Sequence, residues 1–153
     1  MSESVINWAN WMQHCLQLAN QALPLDVPVG AVLLSETGEL LGEGFNTRER
    51  DQNPLGHAEL NALQQASQRL GQWRHRGSTV VVTLEPCPMC ASALAQAGVR
   101  RIVYGASDAH MGGCGGWLAA HAKPSPPQIV AGILESACQA QLQQFFTQLR
   151  QSS

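Results

Sequence analysis

Thr79-Val80-Val81-Val82-Thr83-Leu84-Glu85-Pro86-Cys87-Pro88-Met89-Cys90 reads as a strand that hands the chain directly to a helix. The β-branched run Thr79 to Leu84 suits a pleated, buried strand. Pro86 ends it, and Pro88 is tolerated in the first turn of the helix that follows to Ala97, where Gly98 stops it. Cys87 and Cys90 therefore sit at a helix N-terminus. Free amide groups and the helix dipole favour the thiolate there, the form that binds a metal. Alone, a Cys-x-x-Cys pair serves redox chemistry as readily as metal binding.

The partner that decides between them lies upstream, at His57-Ala58-Glu59. One imidazole and two thiolates make three zinc ligands, and a catalytic zinc site holds three protein ligands and keeps a fourth position for water. A structural site closes all four positions with Cys or His, and no fourth donor of that kind is evident here. Such a water ionises near pH ~7. Glu59 lies too close to His57 to serve easily as a second ligand, but it is placed to carry protons. That set suffices to hydrolyse an amine from a heteroaromatic ring, the known use of this signature.

Around these motifs the chain alternates helices and strands. Val5, Trp8, Met12, Cys15, Leu16, Ala19 and Ala22 recur at helical spacing, predicting a helix from about Ser4 to Ala22 that Pro24 and Pro28 end. Val29 to Leu34 is a buried strand, and Leu40 to Phe45 returns from the turn Glu36 to Glu39 as the second arm of a hairpin. Asn46 to Gly56 is a polar loop that delivers His57 to a second helix, reaching Leu70 with Leu60, Leu63, Ala66 and Leu70 on one face. Arg101 to Tyr104 is a strand, Leu118 lies in a short segment after a glycine-rich loop, and Pro124, Pro126 and Pro127 break the chain. Gln128 to Val130 is a last strand and Leu134 to Leu149 a last helix. This alternation predicts an α/β fold with helices on both faces of one sheet, in a single domain spanning residues 1–153.

Composition agrees. Hydrophobic residues are 44% of the 153 and charged residues 13%, which points to an extended buried interface. No apolar run nears the ~18 residues of a membrane span, and Met1-Ser2-Glu3-Ser4 lacks a basic signal-peptide start. Five cysteines are odd in number. Cys15, Cys114 and Cys138 read as free thiols of a reducing compartment, Cys15 and Cys138 in the core. Phe145 and Phe146, with Leu142 and Leu149, have core spacing, burial is the ordinary fate of Trp73 and Trp117, and His110 and His121 read as surface or supporting residues.

The chain resembles the cytidine deaminase superfamily and, within it, the TadA-type tRNA adenosine deaminases. The resemblance runs from Pro28-Val29-Gly30-Ala31-Val32 to Phe145-Phe146. It includes Gly42-Glu43-Gly44-Phe45-Asn46, the two metal motifs with Val82 to Glu85, and Tyr104-Gly105-Ala106-Ser107-Asp108. It implies a three-layer α/β/α sandwich with a five-stranded mixed sheet, one Zn2+ per subunit, and a cytoplasmic homodimer acting on a tRNA anticodon arm. The implied reaction is hydrolysis of the wobble adenosine to inosine. His57, Cys87 and Cys90 would hold zinc and Glu59 would shuttle protons. Asn46 would bind the base or its sugar, the Ala58 amide the base edge, Val29 the pocket wall, and Asp108 would lie beside the flipped nucleotide. Asn46 and Asp108 also read as turn or cap residues.

Charge keeps a second substrate class open. Nine basic residues against eleven acidic give a net charge of −2, with a single lysine, Lys123. RNA enzymes ordinarily present a basic footprint. The pairs Arg48/Arg50, Arg74/Arg76 and Arg100/Arg101 could supply one. The alternative is a small-molecule deaminase of guanine, cytosine or a related free nucleobase, with Trp117 and a short Leu118–Ala131 loop closing the pocket. A binding protein with a structural zinc is a third class, and Glu59 argues against it.

Overall fold

The computed structural model describes residues 5–121 and 126–152. Helix α1 (Trp8–Asn20) is capped by Asn7, whose side chain accepts from the Asn10 amide at 3.1 Å. Strands β1 (Gly30–Leu34) and β2 (Leu40–Phe45) form the expected hairpin, with a bulge at Leu33/Leu34. The stretch expected as loop contains one helical turn, α2 (Arg48–Asp51). Its cause is distant in sequence: the buried Asp26 carboxylate accepts from the Glu49 and Arg50 amides at 2.7 and 3.1 Å. There follow α3 (Ala58–Leu70), β3 (Thr79–Leu84), α4 (Pro88–Gln96), β4 (Arg101–Ala106), α5 (Gly116–His121), β5 (Gln128–Val130) and α6 (Glu135–Gln151). Lys123 and Pro124 lie outside the described residues.

The sheet order is β2-β1-β3-β4-β5. β1 runs antiparallel to both β2 and β3, while β3, β4 and β5 run parallel, so the sheet is mixed as expected. One face packs Ala58, Ala62, Ala66, Leu94 and Leu118 of α3, α4 and α5 against Val80, Val82 and Ile102. The other packs Met12, Cys15, Leu18 and Cys138 of α1 and α6 against Val32, Val81 and Val103. With both faces covered, the central strands are continuous apolar runs rather than alternating ones.

Helix α3 corrects the expected packing. Its buried residues are Ala58, Glu59, Ala62 and Ala66, whereas Leu60 and Leu63 are half-buried and Leu70 is exposed. The reason lies in β2. A Cβ on Gly44 would come within 2.7 Å of the Ala58 carbonyl and 2.8 Å of the Ala62 amide, and Gly42 approaches Ala66 as closely. Glycine on the strand and alanine on the helix let the two backbones nearly touch, which leaves no room for leucine. This contact sets the height of His57 and Glu59 above the sheet.

Candidate active site

β3 and β4 are parallel and end on the same edge, where α3 and α4 begin. The carboxyl ends of strands are the usual site of ligand binding in such sheets. His57 is the N-cap residue of α3 and Cys87 that of α4, and neither makes a side-chain cap hydrogen bond. Both side chains are thus left for other partners. His57 Nδ1 lies 3.6 Å from Cys87 Sγ and 3.3 Å from Cys90 Sγ, and the three donor atoms lie within 4.8 Å of one another. Zinc bonds of 2.0–2.1 Å to nitrogen and 2.3 Å to sulfur imply N···S edges of roughly 3.5 Å in a tetrahedron. The donor set fits zinc in type and spacing.

The electrostatics point the same way. The Cys87 thiol is pulled down to about 4, chiefly by the hydrogen bond from the Cys90 thiol and further by the His57 imidazole. Cys90, more deeply buried, is pushed up because it holds the proton shared with Cys87 and lies in an apolar surround. Hydrogen bonding to Cys87 raises His57. A thiol held in its thiolate form beside a second thiol and an imidazole is a donor set suited to a cation. Glu59 is 4% exposed, and burial above all raises its carboxyl to about 7.

These groups border a cavity of about 290 Å³ lined also by Val27, Val29, Asn46, Ala58, Leu84 and Asp108. Of the residues expected at the site, Val29, Asn46, His57, Ala58, Glu59, Cys87 and Asp108 line it, while Cys90 is fully buried beside His57 and Cys87. Asn46 is nearly buried. Its Nδ2 donates to the Val27 carbonyl at 3.1 Å and its Oδ1 accepts from the Arg48 amide at 3.0 Å, so it ties two walls together. Asp108 Oδ1 accepts from the His110 and Met111 amides, both at 3.0 Å, closing an Asx-type turn. Ala58 opens α3, where the first amides have no intrahelical acceptor.

Six lining residues are not among those the sequence placed at the site: Val27, Arg48, Leu84, Glu85, Met111 and Phe146. Phe145 is buried as its spacing implies, but Phe146 is 41% exposed and faces the cavity, edge-to-face with Phe145. Adjacent positions on a helix point about 100° apart, so one ring can fill the core only by turning the other out. Leu149 is likewise exposed. Trp117 does not line the pocket: it packs on the core and stacks on His121 at 4.7 Å. Trp73 is not buried but 61% exposed, with Arg74 over its ring. Cys114 is buried next to the site, and burial pushes its thiol up to about 12, yet it does not join the donor cluster.

Residues 7–106 match the family described as the cytidine and deoxycytidylate deaminase zinc-binding region. The tRNA-specific adenosine deaminase of Bacillus subtilis (strain 168) is 41% identical over 129 residues, 82% of this chain and 79% of that protein. A structure from work on A-to-I editing by tRNA:A34 deaminases at the wobble position superposes with a TM-score of 0.81 at 32% identity, covering 86% of this chain and 98% of the other. Guanine deaminase from Nitrosomonas europaea, at 22% identity and a TM-score of 0.79 over 92% of this chain and 85% of its own, shares the fold. With a donor set fitted to zinc inside the matched region, the chain belongs to the cytidine and deoxycytidylate deaminase family of zinc-dependent hydrolases.

Proposed function

We propose that the protein hydrolyses the wobble adenosine of a tRNA anticodon to inosine and releases ammonia. The observation that carries this reading is the convergence of the metal triad, a buried carboxyl and a base-sized cavity in a chain 41% identical to a tRNA-specific adenosine deaminase. His57, Cys87 and Cys90 hold zinc, which when bound supplies a water of lowered pKa. Glu59, facing the cavity from the first turn of α3, takes a proton from the attacking water and delivers it to ring N1 as the oxygen bonds to C6. It then moves the hydroxyl proton to the exocyclic nitrogen. The C–N bond breaks and ammonia leaves. Asn46 and the Ala58 amide orient the base, Val29 packs against its face, and Asp108 lies beside the sugar. A base in a loop is already unpaired, so flipping it into the cavity costs less than in a duplex.

The protein acts as a cytoplasmic homodimer in this reading. Leu60, Leu63, Met89 and the exposed Trp73 line an open depression between α3 and α4 that a second subunit would cover. A monomeric mass by light scattering at micromolar concentration would count against it. No helix among the described residues is long and apolar enough to cross a membrane.

Only Arg48 of the arginines lines the cavity, and this sparseness favours the second reading, a free nucleobase such as guanine or cytosine. One assay separates the two. Zinc-loaded protein is incubated with a tRNA bearing an ACG anticodon, and nuclease digests are read by mass spectrometry. Stoichiometric inosine at the wobble position is expected. No inosine, with ammonia released from guanine or cytosine instead, would overturn the tRNA reading.

A further inference from the structure

Residues 107–115 join β4 to α5 and carry Asp108 and Met111 to the cavity. The segment forms no helix or strand, so something else must fix it. One side chain holds both of its ends. Glu85 closes β3, its amide donating to the Ala106 carbonyl at 2.8 Å, two residues before the ligand Cys87. Its Oε1 accepts from the Asp108 amide at 3.0 Å and its Oε2 from the Cys114 amide at 3.1 Å. Both oxygens are therefore spent on the two ends of one loop. The Gly113 amide adds a bond to the Pro86 carbonyl at 2.7 Å. The fit leaves no slack: a Cβ on Gly112 would strike the Glu85 carboxylate, and one on Gly113 would come within 2.7 Å of the Pro88 nitrogen.

We propose that Glu85 is a positioning residue that clamps the 107–115 loop to the strand–helix junction bearing Cys87, and so sets where Asp108 stands relative to the metal ligands. The apolar β3 side chains before it, Val80, Val81, Val82 and Leu84, pack into the core without any need of a carboxylate. A carboxylate offers two acceptors at fixed separation, which neither an amide nor a hydroxyl does. The clamp serves substrate placement, and proton transfer stays with Glu59. Its effect on substrate rests on the proposed tRNA reaction, whereas the clamp itself does not.

The test uses the zinc-loaded full chain. In the wild type, the Asp108 and Cys114 amides should exchange with deuterium at least roughly tenfold more slowly than those of Ala109 and Gly115, the factor expected of a charge-assisted hydrogen bond. Glu85→Gln keeps one acceptor and sets an NH2 group against the other amide. It should speed exchange in 107–115, leave zinc content unchanged, raise KM for the tRNA roughly tenfold and hold kcat within about twofold. Glu85→Ala should go further in the same direction. A merely structural role would lower kcat through loss of folded molecules and leave KM alone. Unprotected Asp108 and Cys114 amides in the wild type would overturn the clamp, as would unchanged loop exchange, or a fall in kcat with zinc loss, in Glu85→Gln. If the wild type makes no inosine, the tRNA reading fails, and the exchange and zinc measurements still decide the clamp.

Discussion

Glu59 shows how one position can be read twice. On the helix it occupies a face that packs toward the sheet, where a carboxyl is costly unless partnered or neutral. In the site it is the group closest in sequence to the metal ligands with a proton to give. Glu59→Ala is expected to keep about one zinc per chain, measured by elemental analysis, because no ligand is lost. Inosine formation should fall by roughly 10²–10⁴-fold, the range for general acid–base groups. Retained zinc with full activity would remove Glu59 from the mechanism.

At the level of the helices and strands, the close contact between α3 and β2 positions His57, one of the three metal ligands, and Glu59 beside it. Gly44→Ala places a methyl within 2.8 Å of Asn61 Cβ and the Ala62 amide. It should destabilise the fold by about 1–3 kcal/mol, the usual result of overpacking, and weaken zinc retention by lifting His57. Gly116→Ala, which meets nothing within 4 Å, should change stability by less than about 0.5 kcal/mol. Denaturant midpoints of the two variants give the comparison.

His75 offers a second case between elements. It is 3% exposed, its Nε2 pairs with Ser67 Oγ at 2.9 Å, and its Nδ1 has no hydrogen-bond partner among the described residues. Burial lowers its pKa below the ordinary 6.5. Below pH ~6.5 the unfolded chain then binds the proton that the folded chain refuses, so stability is whole above that pH and declines as pH falls. The loss is bounded at about 1.4 kcal/mol per pH unit. Between pH 7.5 and 5.5 the denaturation midpoint should fall further in the wild type than in His75→Gln. Equal falls would mean that His75 has the same pKa in the folded and unfolded chain.

At the scale of the whole molecule, Arg48 and the pair Arg100/Arg101 lie at opposite ends of the sheet. Arg48 lines the cavity, Arg50 sits over Phe45 and donates to the Gln21 carbonyl, and Arg69 donates to the Leu41 carbonyl. Arg100 pairs with Glu36 at 3.7 Å and Arg101 lies over Trp8, beside a depression at the opposite, N-terminal end of β4. RNA affinity should therefore depend weakly on salt. A log–log slope shallower than about −2 is expected, fewer than about three phosphate contacts at ~0.7 each. Fluorescence anisotropy between 50 and 300 mM salt, at about the protein concentration of the activity assay, measures it. A slope near −5 would reveal a cationic surface that these arginines do not form singly.

Much of this was local and therefore readable in order along the chain. Thr79–Leu84 and Leu40–Phe45 have the bounds their residue types imply. The identities of His57, Cys87 and Cys90 follow from ligand chemistry, since few combinations of donors suit zinc at a helix start. Proline and β-branching act on their own backbone, so no distant partner is needed to read them. The burial of alanines rather than leucines on α3, the outward turn of Phe146 and the exposure of Trp73 depended instead on what packs across from each. The grip of Glu85 on Asp108 and Cys114 spans 23 and 29 residues of sequence. No periodicity encodes such a contact, because it exists only once the β3–β4 pairing has brought its two sides within hydrogen-bonding distance.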